Sequence, residues 1–274
     1  MAFVPSSAAS ITSWLGRHRR NLSGMRALVT GGSSGVGRAV ALELSRRGAR
    51  VMATARRRER LLELGSHDAA EPIEHEAGDL CEAAFRERLV AITVERLGGL
   101  DLVVTAAGGG AIGPFREADA RTFTRVLDLN LVAPAELVRL CLPALARGRD
   151  PAVVFVGSIL GLHPLPLHAD YCAAKSGLRS LVGALRLELA SEGIEVMLAT
   201  LGPIDTEFWD ALIAGERPNW SRGHPLAPDV AAREVLDGLE RRSRELTPGW
   251  RAKGYAFLAR FLPGFIDRFA ARQI

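Results

Sequence analysis

A tyrosine and a lysine stand four residues apart in the sequence YCAAK, which covers residues 171–175. The chain has only two residues of each type, and arginine is its usual cation. On a helix this spacing places both side chains on one face. An ammonium beside a phenol stabilises the phenolate and lowers the phenol's pKa from its ordinary value of about 10. The pair Tyr171 and Lys175 is therefore predicted to transfer a proton near neutral pH.

Ser158 ends the apolar run PAVVFVGS, shortly before the Tyr–Lys pair. The end of a parallel strand projects side chains into the crevice where ligands bind in open α/β sheets. A lone serine would be interpreted as a strand cap. Its position just before the tyrosine and lysine instead predicts that Ser158 orients the oxygen atom of a substrate.

The stretch ALVTGGSSGVGRAVALEL combines an apolar strand, a glycine-rich turn and the start of a helix. Gly31, Gly35 and Gly37 allow a tight turn and a close approach of the backbone to a pyrophosphate. The phosphates then lie on the amide groups and the positive end of the helix. This context predicts a dinucleotide site, and a plain strand-to-helix turn is the alternative.

The second predicted strand ends in ATARRRERL. A site for NAD places an acidic residue here, which binds the ribose 2′-hydroxyl. This chain has Ala55 at that position and Arg56 after it, so a 2′-phosphate can be accepted, with Arg57 as a second donor. The pattern favours NADP over NAD, and a solvated basic helix start is the alternative. Asp79, after the third strand, is predicted to bond to the adenine edge.

The elements that position these residues follow from an alternation that starts at Met25. Short runs rich in Val, Ile and Ala alternate with amphipathic stretches. This is typical of an α/β protein with a doubly wound parallel sheet and helices on both faces. No linker or repeat interrupts it, so a single domain is expected. The predicted strands are 26–30, 50–54, 73–76, 102–105, 152–156 and 195–200. The predicted helices are 36–47, 82–97, 118–145 with a break or kink near Pro134 and Pro143, 169–191 and 228–244.

Two segments near the carboxyl end differ from the rest. Residues 204–227 mix short apolar groups with Pro, Gly and Asn, which predicts a mobile flap over a site. Residues 250–272 carry phenylalanines at four-residue steps and are predicted to form two helices, divided at Pro263 and Gly264. Such a stripe indicates core or a subunit contact, and a membrane-surface role or a lid over an apolar substrate are the alternatives.

The amino-terminal segment 1–24 contains several serines and the basic sequence GRHRR but no acidic residue. This composition is shared by transit peptides, by disordered tails and by segments upstream of a true start codon. Because the first strand opens at Met25, a domain over 25–274 is expected. A chain beginning at Met25 is expected to keep every core element.

Composition excludes several classes of protein. No apolar run approaches the roughly 20 residues that a membrane-spanning helix needs. The net charge of +4 comes from arginines without interleaved aromatic residues, which argues against a nucleic-acid surface. The three cysteines, Cys81, Cys141 and Cys172, are widely separated and indicate a reducing compartment. We expect a cytoplasmic protein with a small-molecule substrate, no metal site and, at most, a peripheral membrane contact.

Taken together, these motifs resemble the single-domain branch of the short-chain dehydrogenase/reductase family. The resemblance rests on TGGSSGVG at 30–37, Asp79, LDLNLVAP around Asn130, Ser158, YCAAK and LGPIDT at 201–206. It spans about two-thirds of the chain, from Met25 to Thr206, and all the motifs stand in the family's order. It implies a Rossmann fold of about seven strands, an NAD(P) cofactor, and homodimers or homotetramers.

The resemblance also implies roles for individual residues. Ser158, Tyr171 and Lys175 form the catalytic set, and Asn130 holds a water molecule that links Lys175 to solvent. Thr206 and the backbone near Ile204 contact the nicotinamide amide. The candidate cofactor-binding residues are Gly31, Ser33, Ser34, Gly35, Val36, Gly37, Arg56, Asp79, Leu80, Ala107, Gly108, Tyr171, Lys175, Ile204 and Thr206.

Two positions depart from the family's pattern. Residues 105–108 read Thr-Ala-Ala-Gly where the family usually has Asn-Asn-Ala-Gly, so a side-chain amide that pins neighbouring strands is missing. Leu201 replaces the proline expected before Gly202, and a looser turn beside the nicotinamide is expected. Neither departure changes the proton chemistry.

The sequence thus predicts an NADP-dependent oxidoreductase that transfers a hydride between nicotinamide and a carbonyl or secondary alcohol. Apolar residues in the loop after Ser158 and in the flap predict a pocket for a hydrophobic ketone. These residues are Leu160, Leu162, Leu165, Leu167, Phe208, Trp209 and Leu212, with His163 and His168 nearby. The alternatives are a sugar-nucleotide epimerase or dehydratase, which also uses a Tyr–Lys pair, and a non-catalytic NADP-binding sensor or scaffold.

Overall fold

A parallel sheet with seven strands forms the centre of the molecule in the computed structural model, which describes residues 18–65, 72–210, 212–217 and 223–271. The strands are β1 (Arg26–Thr30), β2 (Arg50–Ala55), β3 (Ile73–Ala77), β4 (Leu102–Thr105), β5 (Ala152–Ser158), β6 (Glu195–Leu201) and β7 (Glu245–Leu246). Their order in the sheet is β3-β2-β1-β4-β5-β6-β7. The predicted doubly wound α/β fold is confirmed. The strand order reverses between β1 and β4, where a ligand crevice opens at the carboxyl ends of the strands.

Helices cover both faces of the sheet. They are α1 (Gly35–Arg46), α2 (Arg58–Gly65), α3 (Ala83–Leu97), α4 (Ala120–Leu127), α5 (Ala133–Leu145), α6 (Ala169–Glu188), α7 (Pro228–Glu240), α8 (Trp250–Phe261) and α9 (Pro263–Ala270). Successive side chains of a strand point to opposite faces. In β1, Ala27 and Val29 belong to the core cluster that includes α1 and α7, whereas Leu28 belongs to the cluster that includes α3 and α5. Both faces are buried, which explains why the strands read as unbroken apolar runs.

The predicted helix over 118–145 is interrupted at one place. The interruption is a π-helical turn at Asp128–Val132, between α4 and α5. Pro134 lies in the first turn of α5, where a proline needs no amide partner, and Pro143 lies inside α5 without ending it. The interruption thus ends just before Pro134, whereas the break expected near Pro143 is absent. A π turn frequently marks a functional position, and Asn130 lies at the middle of this one.

Part of the amino-terminal segment packs on the domain. Residues 1–17 lie outside the described residues, but Leu22 is buried in the core cluster that includes α1 and α7. The side chain of Arg20 is fully buried and pairs with Asp150 at 3.2 Å and with Glu195 at 3.1 Å. A chain beginning at Met25 would keep every strand and helix of the described residues but would lose these buried contacts.

Replacing Arg20 with Met is expected to lower the free energy of unfolding by about 2 kcal/mol. Breaking a buried ion pair costs about 3–5 kcal/mol, but Asp150 and Glu195 keep Arg242 as a second partner. Urea denaturation measures the change. Arg19→Met is the matched control, because Arg19 is exposed and its pair with Glu240 contributes little. Equal stabilities of the two variants would contradict the structural role of Arg20.

The carboxyl-terminal helices α8 and α9 divide at Pro263, as predicted, but much of the phenylalanine stripe is not core. Phe257, Phe261 and Phe265 are each 60% exposed. Trp250 and Leu262 are also exposed, whereas Ile266 is buried. The apolar face of this helical pair, which we call the C-terminal apolar surface, is left in contact with solvent. Among the described helices, none is both long enough and apolar enough to cross a membrane.

Candidate functional site

A cavity of about 330 Å³ lies at the carboxyl ends of the central strands and brings most of the predicted residues together. It is bordered by the glycine-rich turn after β1, by the end of β5, by α6 and by the segment after β6. The predicted residues that line it are Gly31, Ser33, Ser34, Gly35, Val36, Gly37, Arg56, Asp79, Leu80, Ala107, Gly108, Ser158, Tyr171, Lys175, Ile204 and Thr206. Asn130 is fully buried beside this lining.

Two positions of the glycine-rich turn have no room for any side chain. Gly31 has a φ of +76°, and a Cβ atom there would lie 2.9 Å from the Ala107 amide nitrogen. A Cβ atom on Gly37 would overlap the carbonyl oxygen of Gly31. The turn therefore packs tightly against the start of α1. This cradle at a helix N-terminus fits a pyrophosphate group.

Thr30 supplies the link between strands that the missing amide after β4 would have provided. Its Oγ1 atom accepts hydrogen bonds from the backbone amides of Ala106 and Ala107, each at 3.0 Å. The segment that follows β4 is thus held against the end of β1. Although residues 105–108 lack the family's asparagine amide, Thr30 keeps this edge of the cavity in place.

Arg57 is the arginine that contacts the glycine-rich turn. Its guanidinium donates to the hydroxyl of Ser33 at 3.1 Å and to that of Ser34 at 2.5 Å. Its Nη1 atom also lies 3.0 Å from a carboxylate oxygen of Glu207. Arg56, the residue favoured from the sequence, lines the cavity but is exposed. Both arginines lie in the connection between β2 and α2, where strand alternation no longer applies, so the run RRR did not reveal which of them contacts the turn.

Asp79 is held by a partner that the sequence did not indicate. Its carboxylate pairs with Arg125 of α4 at 2.5 Å and accepts the amide of Cys81 at 2.9 Å. These hydrogen bonds keep the pKa of Asp79 below its usual value even though burial acts in the opposite direction. The carboxylate is therefore ionised and fixed at the cavity wall.

Ser158, Tyr171 and Lys175 converge where β5 meets α6. Lys175 is buried, and its Nζ atom donates to the carbonyl oxygen of Val156 at 3.0 Å. The same Nζ atom lies 5.7 Å from the centre of the Tyr171 ring. Tyr171 shares a hydrogen bond with the Ser158 hydroxyl. The helical spacing and the strand end thus bring the three groups together, as their positions in the sequence predict.

The pKa values of the pair are governed by burial. Loss of hydration raises the pKa of Tyr171 to about 12, and the hydrogen bond from Ser158 lowers it by a smaller amount. Burial lowers the pKa of Lys175 to about 8. Burial is thus the main influence on the phenol among the protein's own groups, and the lowering of its pKa by Lys175 and a bound oxidised cofactor stays a prediction. At neutral pH the phenol carries its proton and can act as an acid.

The Asn130 side chain is fixed by the π turn. Its Nδ2 atom donates to the carbonyl oxygens of Gly109 at 2.7 Å and Val126 at 2.9 Å. The wider turn frees the Val126 carbonyl for this bond. Its buried Oδ1 atom has no hydrogen-bond partner in the described part of the chain. A buried acceptor is costly to leave unpaired, so the position suits a water molecule beside Lys175.

The buried ammonium of Lys175 is expected to make stability depend on pH. Between the folded pKa of about 8 and the unfolded value of 10.5, the unfolded chain binds the extra proton. Stability therefore rises with pH across this window, by about 3 kcal/mol from this group. Urea denaturation of wild type and Lys175→Met at pH 7 and pH 10 isolates this rise, since other groups cancel in the difference. Parallel pH dependences would contradict it.

The substrate end of the cavity is apolar, but its composition differs from the prediction. Leu160, Phe208, Trp209 and Ile213 line it. Four predicted leucines lie outside the lining, namely Leu162, Leu165, Leu167 and Leu212. The two loop histidines are engaged elsewhere: His163 bonds to Asp267 at 2.9 Å, and Nδ1 of buried His168 lies 2.7 Å from the Pro166 carbonyl.

Sequence reasoning missed several lining residues. Arg125, Leu129, Glu207 and Ile213 border the cavity. Arg125 and Leu129 are four residues apart on the helical segment that contains Asn130, so they could have been found by placing one face of that segment towards the site. Glu207 directly follows the LGPIDT motif, but no local pattern indicated its arginine partners.

Comparisons with known proteins agree with this geometry. Residues 25–217 match the family model described as short chain dehydrogenase. The hydroxysteroid 11-beta-dehydrogenase 1-like protein A of Xenopus laevis is 30% identical over 90% of this chain and 86% of its own length. The 2,3-dihydroxy-2,3-dihydro-p-cumate dehydrogenase of Pseudomonas putida is 34% identical over 72% of this chain and 77% of its own length.

Among solved structures, a dehydrogenase/reductase from Sinorhizobium meliloti 1021 superimposes with a TM-score of 0.75. It is 30% identical, and the alignment covers 85% of this chain and 97% of that one. The agreement extends over the glycine-rich turn, the end of β5 and α6, because the family match includes all three. The chain belongs to the short-chain dehydrogenase/reductase family and is an NAD(P)-dependent oxidoreductase.

Proposed function

We propose that this oxidoreductase uses NADP to interconvert an apolar ketone and its secondary alcohol. The observation that carries the proposal is a single cavity with the protonated phenol of Tyr171 at an apolar end and a guanidinium at the glycine-rich turn. Leu160, Phe208 and Ile213 support an apolar substrate, since each contributes hydrocarbon surface to the lining.

In the reductive direction, Tyr171 is the acid. Its pKa of about 12 keeps the phenol protonated, so the hydroxyl can give its proton to the carbonyl oxygen. The Ser158 hydroxyl, which already shares a hydrogen bond with Tyr171, orients that oxygen. A nicotinamide cofactor bound in the cavity would supply the hydride for this reduction. Lys175 and a water held by Asn130 return a proton to Tyr171.

The glycine-rich turn and its neighbours would hold the cofactor. The glycine-rich turn at residues 31–37 would accommodate the pyrophosphate at the start of α1, and the small residues Ala107 and Gly108 would permit approach of a ribose. Ile204 and Thr206 lie at the cavity wall, where they would contact the nicotinamide amide. Arg57, with Arg56 beside it, would bind the 2′-phosphate, because a guanidinium is suited to phosphate geometry.

Removing the Arg57 guanidinium is expected to reduce NADP affinity about tenfold, the value of one charge-assisted hydrogen bond. Arg56→Ala is expected to cost about threefold, because Arg56 is exposed and its charge is screened. NAD affinity should stay unchanged in both variants, since NAD has no 2′-phosphate. Isothermal titration with each dinucleotide measures these effects. An equal loss of NAD and NADP affinity in Arg57→Ala would show that Arg57 supports the glycine-rich turn and does not bind the 2′-phosphate.

The experiment that tests the function is a turnover assay. Purified protein is mixed with NADPH or NADH and a panel of linear, cyclic and aromatic ketones, and the absorbance of the reduced nicotinamide is followed. We expect turnover of apolar ketones with NADPH. Tight binding of NADP without turnover of any ketone or alcohol would instead favour the sensor or scaffold.

We further propose that the chain forms homodimers or homotetramers in the cytoplasm. The C-terminal apolar surface supports self-association, because exposed patches of aromatic side chains mark protein contacts. The three cysteines are unpaired, in keeping with a reducing compartment. Light scattering of wild type and Phe261→Asp tests the assembly, and an unchanged mass of the variant would place the contact elsewhere.

A further inference from the structure

Glu207 occupies an anion-binding position beside the glycine-rich turn. One carboxylate oxygen lies 3.0 Å from Nη1 of Arg57, and the other lies 2.6 Å from Nη1 of Arg60. Hydrogen bonds from Arg60 and then Arg57 keep the pKa of Glu207 below its usual value. The carboxylate is thus charged at physiological pH. The Arg57 guanidinium holds this carboxylate while it also donates to Ser33 and Ser34 of the turn.

The residues on either side of Glu207 reach other parts of the cavity. The Thr206 methyl group faces Gly35 in the turn, and the Thr206 hydroxyl accepts the Phe208 amide at 3.3 Å. The Phe208 ring packs edge-on against the Tyr171 ring, with 5.9 Å between centroids. Glu207, which pairs with the arginines, and Phe208, which packs against Tyr171, are therefore neighbours in the sequence.

We propose that Glu207 is a displaceable anion and that the 2′-phosphate of NADP takes its place on Arg57. This inference rests on the proposed use of NADP. A phosphate monoester carries more charge than a carboxylate and forms more hydrogen bonds with a guanidinium. The ion pairs of Glu207 are half-exposed, so each contributes little and the exchange costs little. NAD has no 2′-phosphate and leaves the ion pairs intact.

Two consequences follow for specificity. Glu207 competes with the 2′-phosphate, so it weakens NADP binding without affecting NAD binding. Its release also frees the segment that carries Phe208, so the substrate end of the cavity responds to the cofactor. Glu207 is in this sense a specificity-determining residue that links the choice of cofactor to the affinity for the ketone.

The test is isothermal titration of wild type, Glu207→Gln and Asp210→Asn with NADP, NAD, adenosine 2′-monophosphate and adenosine 5′-monophosphate. Glu207→Gln is expected to bind the two 2′-phosphate ligands about fivefold more tightly, the value of two exposed ion pairs. Its affinity for the other two ligands should not change. Asp210→Asn is the control, because it removes the same charge three residues further along. Asp210 is exposed and forms no ion pair within the described residues, so this variant should bind all four ligands as wild type does.

A kinetic readout tests the link to the substrate. In wild type the KM for the ketone is expected to be lower with NADPH than with NADH. In Glu207→Gln the two KM values should converge on the NADPH value. If Glu207→Gln bound NADP no more tightly than wild type, or gained as much affinity for NAD as for NADP, the exchange of Glu207 for the 2′-phosphate would be overturned. Wild-type protein that binds neither dinucleotide would overturn the proposed function itself.

Discussion

Tyr171→Phe is expected to reduce kcat by about 10³-fold, within the usual contribution of general acid catalysis. The variant keeps the ring that packs against Phe208 but loses the hydroxyl that shares a hydrogen bond with Ser158. The Tyr171 phenol lines the apolar end of the cavity and retains its proton at neutral pH. Cofactor affinity is expected to stay within about threefold, because the lost hydroxyl acts on the substrate oxygen.

The second tyrosine of the chain provides the matched control. The Tyr255 hydroxyl donates to the carbonyl oxygen of His163 at 3.2 Å and lies outside the cavity lining. Tyr255→Phe removes the same atom from the same residue type, so it should leave kcat nearly unchanged. Initial rates and titration with NADP are measured for both variants. A comparable loss of activity in Tyr171→Phe and Tyr255→Phe would contradict the proposed role of Tyr171 as the acid. A loss of cofactor affinity in Tyr171→Phe that parallels its loss of activity would contradict that role as well.

Gly37→Ala is expected to weaken binding of the dinucleotide by about 10- to 100-fold, since overpacking costs about 1–3 kcal/mol. The new methyl group would overlap the Gly31 carbonyl oxygen and lie against the Thr30 carbonyl, both of which are backbone atoms. Backbone cannot rotate away as a side chain can, so the turn and the start of α1 must separate. Isothermal titration measures the loss in affinity.

Gly183→Ala makes the same chemical change at a site with open space. Gly183 lies within α6, and a Cβ atom there would meet no atom within 4 Å. Alanine is favoured over glycine inside a helix, so this variant should gain about 0.5–1 kcal/mol in unfolding free energy and bind the dinucleotide normally. Thermal melts of both variants separate a folding defect from a binding defect. Normal dinucleotide affinity in a folded Gly37→Ala protein would contradict the tight packing of the turn.

The candidate site shows where sequence reasoning is reliable. Tyr171 and Lys175 could be paired from spacing alone, because a helix fixes which residues share a face. Ser158 could be added because parallel strands all end at the same edge of the sheet. Arg57 and Arg56 could not be ranked from the run RRR, since the last residues of β2 turn as they leave the sheet. The pair of Asp79 with Arg125 joins distant segments and left no local signal.

The pKa values illustrate a second limit. The sequence predicts that an ammonium lies near the phenol, and 5.7 Å separates Nζ of Lys175 from the ring centre. The sign of the shift at Tyr171 depends on how much water the surrounding side chains exclude. That exclusion comes from the whole fold, including Phe208 and Leu160 from different segments. Desolvation is a property of packing and has no counterpart in residue spacing.

By itself, the sequence determined the alternation of strands and helices, the glycine-rich turn, and the Ser–Tyr–Lys set, since each depends on short-range periodicity or on a residue's intrinsic backbone freedom. The tertiary structure decided that Arg20 and Leu22 belong to the core, that a π turn positions Asn130, and that Glu207 lies on Arg57. It also left Phe261 and its neighbours exposed. These outcomes depend on contacts between segments far apart in the chain, whose energies are set by burial and partner geometry.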